Sequence, residues 1–120
     1  MKLRAKILAA SLLAIPILAM AWSNERDFTK ENVAEYAENS SGVYEIINGS
    51  TVIYVGRSRV SIRNRLMRHV SGDGSQCVKN FSGSLKFRTL YGDSSEQMEA
   101  QLIDREKPEC NMRGERDPAD

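Results

Sequence analysis

The strongest constraint on how this chain can fold lies in residues 42–56, which read as a β-hairpin. Val43–Ile47 and Thr51–Val55 are short runs rich in β-branched and aromatic side chains. Asn48-Gly49 between them is the dipeptide with the strongest short-range preference for joining two antiparallel strands. The rest of the chain must supply the surfaces that cover this hairpin. Ile62, Leu66 and Val70 fall on one stripe of a helix over 61–70. Leu85 to Leu90 alternates as a third strand. Ser94 precedes Gln97 at capping-box spacing and opens a helix to about Glu106, which Pro108 cannot continue. Ahead of the hairpin, Thr29 caps a helix from about Lys30 to Glu38, and Asn39-Ser40-Ser41-Gly42 ends it. Residues 22–28 read as a leader, 71–84 as a Gly- and Ser-rich loop, and 112–120 as a disordered polar tail. The expected class is α+β: a small three-stranded antiparallel sheet flanked by helices.

The first 21 residues read as an export signal. Lys2, Arg4 and Lys6 precede an uncharged apolar run from Ile7 to Ala21, which ends in the small-residue exit Ala19-Met20-Ala21. The competing reading, a membrane anchor, needs about 20 apolar residues, more than this run supplies, and Pro16 weakens its helix. Cleavage after Ala21 leaves one small domain, with no stable membrane insertion and a periplasmic or extracellular address. It also takes the formal charge from +1 to −2, because all three basic residues of the signal leave and no acid does. Bulk attraction to phosphate is therefore excluded as the whole basis of function.

The basic residues are nonetheless concentrated. Nothing between Ile46 and Gly72 is acidic, while Arg57, Arg59, Arg63, Arg65 and Arg68 all fall there. A merely solvated helix face would mix in Glu for intrahelical pairing, so the pattern favours a local polyanion site. Cys77 and Cys110 are an even pair in an exported chain and are compatible with one disulfide, worth roughly 3–4 kcal/mol on the chain-entropy model.

Candidate chemistry lies where patterns break. Glu99 projects between Leu102 and Ile103 on the apolar stripe of the last helix. There it either holds a hard cation or pairs with an arginine. His69 stands four residues after Arg65 on the edge of the preceding stripe. A single histidine builds no zinc site, which leaves packing, phosphate contact or proton relay. Tyr44 and Tyr54 fit either strand packing or orientation of a water. Gly56 marks a close backbone approach or a sharp turn.

Gly42-Val43-Tyr44 followed by Tyr54-Val55-Gly56 resembles the paired tripeptides of the GIY-YIG nuclease superfamily, with valine for both middle isoleucines. The resemblance continues through Arg57, the Ile62-x-x-Arg65-Leu66 helix with His69, Glu99-x-x-Leu102-Ile103 and Pro108-x-x-Asn111, covering about residues 41–111. It implies a metal-dependent phosphodiesterase acting on DNA or RNA. Glu99 would hold Mg²⁺ or Mn²⁺, Tyr44 helped by Tyr54 would orient or deprotonate water, and Arg65 would neutralise the transferring phosphate. His69 would contact phosphate or relay protons, Asn111 and Gly56 would support the architecture, and Arg57, Arg63 and Arg68 would meet the nucleic-acid backbone. One residue more than the commonest spacing separates Gly56 from Arg65, so Arg63 competes for the phosphate role. Without a separate reading domain, low sequence specificity is expected unless two copies pair as a homodimer. The alternative is a non-catalytic module of the same fold that binds nucleic acid or protein.

Overall fold

The structure, a computed structural model, describes residues 21–112. The expected signal (all but Ala21) and the tail beyond Met112 lie outside the described residues. In chain order the elements are β1 (Arg26–Asp27), α1 (Lys30–Tyr36), β2 (Gly42–Asn48), β3 (Thr51–Ser58), α2 (Ile62–Val70), α3 (Gln76–Lys79), β4 (Leu85–Tyr91), α4 (Ser95–Glu106) and α5 (Glu109–Met112). The strands form one antiparallel sheet in the order β1-β4-β2-β3.

The fold class is α+β, as expected, with one strand more than the three read from the sequence. The addition is β1, within the segment read as a leader. Arg26 pairs with Phe87 and Asp27 with Lys86, and Ser23 N–H donates to the Thr89 carbonyl at 2.9 Å. These are backbone bonds made by polar residues, so no hydrophobic alternation announces them. They cover part of an edge that β4 would otherwise expose.

Of the two caps expected, Thr29 forms and Ser94 does not, while Ser61 caps α2 outside that expectation. The Thr29 hydroxyl accepts from Asn32 N–H and the Ser61 hydroxyl from Asn64 N–H, each satisfying an orphan donor of the first turn. Ser94 stands at the start of α4 but makes no side-chain cap bond. That helix stops where expected, with Lys107 in the left-handed region ahead of Pro108. The hairpin turn is shifted by one residue. Asn48 pairs with Thr51, so the two loop residues are Gly49 and Ser50, with Gly49 at φ 67°. Positive φ at the first loop position is the type II′ arrangement, which glycine adopts without steric cost.

The sheet is covered on both faces. On one, Tyr44, Ile46, Tyr54 and Phe87 pack with Val33 and Ala37 from the α1 region and Ile62 and Leu66 of α2. On the other, Val43, Val55 and Leu90 pack with Met98 and Leu102 of α4. Central strand β2 is therefore buried through six consecutive residues, and so it does not alternate. Gly42 begins it where a Cβ would collide with the Leu90 carbonyl and with Tyr91 of β4, so a larger residue would push the strands apart.

The loop expected over 71–84 contains the short helix α3. Helices of four residues do not stand alone, and α3 and α5 are joined by the Cys77–Cys110 disulfide, with Cα atoms 5.4 Å apart. The bridge closes a long loop and contributes about 3–4 kcal/mol on the chain-entropy model. None of the described residues belongs to a helix long and apolar enough to cross a membrane.

Candidate active site

Strand pairing decides which side chains meet. Tyr44 lies opposite Gly56, and Ile46 opposite Tyr54. Between Ile46 and Ile47 the register shifts, leaving Ile53 as an extra residue on β3. The bulge places Ile53 and Tyr54 in the same core cluster, although neighbours on a regular strand point to opposite faces. Tyr44 and Tyr54 thus stand on one face with ring centres 6.4 Å apart. From α2, His69 closes the group, with its ring centre 5.6 Å from Tyr44 and 5.1 Å from Tyr54. Its Nε2 is 2.7 Å from Tyr44 Oη. The tyrosines are 0% and 1% exposed, whereas His69 is half-buried and is the member of the trio that reaches the surface.

The arginines separate by role. Arg65 is buried, beside Ile62 and Leu66 on the core side of α2. Arg63 Nε donates to the Ala37 carbonyl at 2.7 Å, which ties α2 to the C-terminal end of α1. Arg59 and Arg68 are exposed. The competition between Arg63 and Arg65 is thereby narrowed: Arg63 is engaged at a helix end, and Arg65 shares its helix face with the histidine one turn on.

Glu99 lies at the edge of the α4 stripe, half-buried, with Oε1 3.3 Å from Arg57 Nε on β3. Both readings of this carboxylate therefore retain support, since it meets an arginine and presents a hard oxygen donor. Among the described residues no cluster of three or more His, Cys, Asp or Glu could hold a metal. A single carboxylate completed by water and phosphate oxygens suits Mg²⁺ or Mn²⁺, and not zinc. Asn111 acts as a two-point clamp. Its Oδ1 accepts from Val55 N–H at 2.8 Å and its Nδ2 donates to the Val55 carbonyl at 2.9 Å. The clamp occupies the outer edge of β3, next to Gly56, and holds the strand that carries Tyr54 and Arg57.

The family model of the GIY-YIG catalytic domain matches residues 40–113. The chain belongs to the GIY-YIG family. No protein with a curated description matches it. Solved structures of the GIY-YIG N-terminal endonuclease domain of UvrC from Thermotoga maritima have the same fold. A point mutant bound to its catalytic divalent cation is 20% identical with a TM-score of 0.58, over 68% of this chain and 93% of that one. The magnesium-bound form is 21% identical with a TM-score of 0.56 and the same coverage.

One residue of the GIY-YIG sheet went unread in the sequence. Glu45, in β2 directly after Tyr44, is fully buried and takes both Arg88 Nε and Nη2 on Oε1, at 2.7 and 2.6 Å. Arg88 in turn lies under the Trp22 ring, 4.3 Å from its centre. Glu45 Oε2 is buried with no hydrogen-bond partner. Loss of solvent pushes the Glu45 pKa above the ordinary 4.5, and the bond and charge of Arg88 only partly offset that. The signal available was a lone Glu inside an apolar strand with Arg88 opposite it in register.

Proposed function

We propose that this chain is a metal-dependent endonuclease that hydrolyses phosphodiester bonds in nucleic acid, with DNA favoured. The observation that carries the reading is the Tyr44–Tyr54–His69 group assembled on one sheet face in a GIY-YIG domain. The structurally similar UvrC domain is an endonuclease domain with a catalytic divalent cation, which supports the same chemistry here. Glu99 would hold Mg²⁺ or Mn²⁺, and the bound ion supplies charge stabilisation at the scissile phosphate. Tyr44 orients the attacking water and draws off its proton, with Tyr54 beside it. His69, bonded to the Tyr44 oxygen, steadies that phenol. Arg65 offers a planar guanidinium to the phosphate oxygens.

Exposed Arg68, together with Arg57, meets the backbone of the nucleic acid. Contacts of that kind position a duplex without reading its bases, so specificity is low. The basic start, apolar run and small-residue exit of residues 1–21 support export, and a disulfide is at home in an oxidising compartment. Degradation of plasmid, linear duplex, single-stranded DNA and RNA by the purified chain, in Mg²⁺ and with EDTA, tests the proposal. Cleavage that EDTA abolishes is expected. Binding without cleavage of any substrate would favour the non-catalytic module.

A further inference from the structure

His69 is held from two sides. Behind α2 the chain doubles back through three backbone bonds, from Ser71 N–H to the Met67 carbonyl, Gly72 N–H to His69, and Asp73 N–H to Arg68. This turn returns Gly74 and Ser75 to the imidazole. Ser75 N–H donates to His69 Nδ1 at 3.0 Å. Gly74 lies so close to the ring that a Cβ there would overlap Nδ1, Cγ and Cε1. On the far side of the ring, Nε2 is 2.7 Å from Tyr44 Oη. Turning the ring over would place carbon atoms against both partners and lose both bonds.

A backbone amide only donates, so Nδ1 must be the unprotonated nitrogen. In a neutral imidazole the proton then sits on Nε2, and that N–H donates to Tyr44 Oη. We propose that Gly74 and the Ser75 amide are a positioning element that fixes His69 in its Nε2–H tautomer and makes the Tyr44 oxygen an acceptor. Its catalytic meaning rests on the nuclease reading, while the tautomer does not. A donor aimed at the phenol oxygen supports negative charge there as the Tyr44 proton moves outward towards phosphate or solvent. It also removes His69 as an acceptor for the Tyr44 proton, because the imidazole turns an N–H and not a lone pair towards the phenol oxygen. The element is anchored two residues on, where Cys77 is bridged to Cys110, and the Ser75 hydroxyl caps α3 by accepting from Val78 N–H at 3.1 Å.

The test is long-range ¹H–¹⁵N correlation on the ¹⁵N-labelled, disulfide-intact chain at neutral pH, which separates unprotonated from protonated ring nitrogens. The expected spectrum has Nδ1 unprotonated and Nε2 protonated. The opposite assignment, or an exchanging mixture, overturns the proposal. Ser75 has φ −63°, which proline shares, so Ser75→Pro removes the amide donor at a compatible backbone angle. Ser75→Ala keeps that donor and loses the hydroxyl cap. Ser75→Ala should retain the wild-type ring signature and Ser75→Pro should lose it; the same signature in both would overturn the proposal. Gly74→Ala should mix the tautomers and lower kcat by roughly 10²-fold, the order expected for an ångström-scale misplacement, with a smaller change in KM. An unaltered spectrum and kcat in Gly74→Ala would contradict it. A fixed Nε2–H ring in a chain that cuts nothing would contradict the nuclease reading and uphold the positioning element.

Discussion

Arg57 Nε lies 3.3 Å from Glu99 Oε1, an ion pair that joins β3, directly after Gly56, to the last long helix. The side chains are 23% and 19% exposed, so the pair is partly desolvated but still screened. The guanidinium occupies the carboxylate that a divalent cation would need. On the proposed function the two cations would compete, and a metal bound at Glu99 would release Arg57 towards phosphate.

Arg57→Ala should therefore tighten Mn²⁺ binding by about two- to five-fold, since such pairs are worth up to ~1 kcal/mol. Nucleic-acid affinity should fall in the same variant. Calorimetric titration with Mn²⁺ reads the first effect. Equal or weaker metal binding would show that Arg57 does not compete for Glu99.

Asn111→Ala should cost about 1–3 kcal/mol, because the change leaves both the N–H and the carbonyl of Val55 without their partner. Denaturant midpoints measure the loss, and amide exchange at Val55 should quicken more than at Ile46. Uniform acceleration across the sheet would argue against a local clamp on β3.

Glu45 makes stability depend on pH in a defined direction. Burial raises its folded pKa above 4.5, so the folded state binds the proton more tightly than the unfolded chain does. This contribution is fully present below pH 4.5 and is lost as pH rises through the folded pKa. Glu45→Gln removes the titration, so the difference in Tm between wild type and variant should drift against wild type as pH rises from 4.5. A constant difference would mean that the carboxyl does not titrate abnormally.

Much of this architecture was legible because local and long-range signals agreed. The hairpin, the Ile62-Leu66 stripe and the cap at Thr29 each encode their own geometry within a few residues. The hairpin turn was misplaced by one position because Asn48-Gly49 and Gly49-Ser50 can both form two-residue loops, and pairing to β4 helps decide between them. Strand β1 and helix α3 were not legible, since one is built from backbone bonds and the other is tethered by a disulfide far along the chain. Arg63 and Arg65 are separated by more than half a helical turn, and spacing alone did not show that Arg63 would turn to Ala37. Glu45 stayed hidden because a strand covered on both faces has no polar side to betray a misplaced charge.

The central claim is that Glu99 supports cleavage, and folded Glu99→Ala tests it most directly. The fold should survive, since the change removes a half-buried carboxylate from α4 and adds a good helix former. Circular dichroism and an intact Cys77–Cys110 bridge would establish that. With wild type and variant compared on the same plasmid in Mg²⁺ or Mn²⁺, cleavage should fall by ~10³-fold or more, the scale of losing electrostatic stabilisation of the transition state. Nucleic-acid binding should persist through the arginines. Cleavage by the folded variant at the wild-type rate would contradict the account.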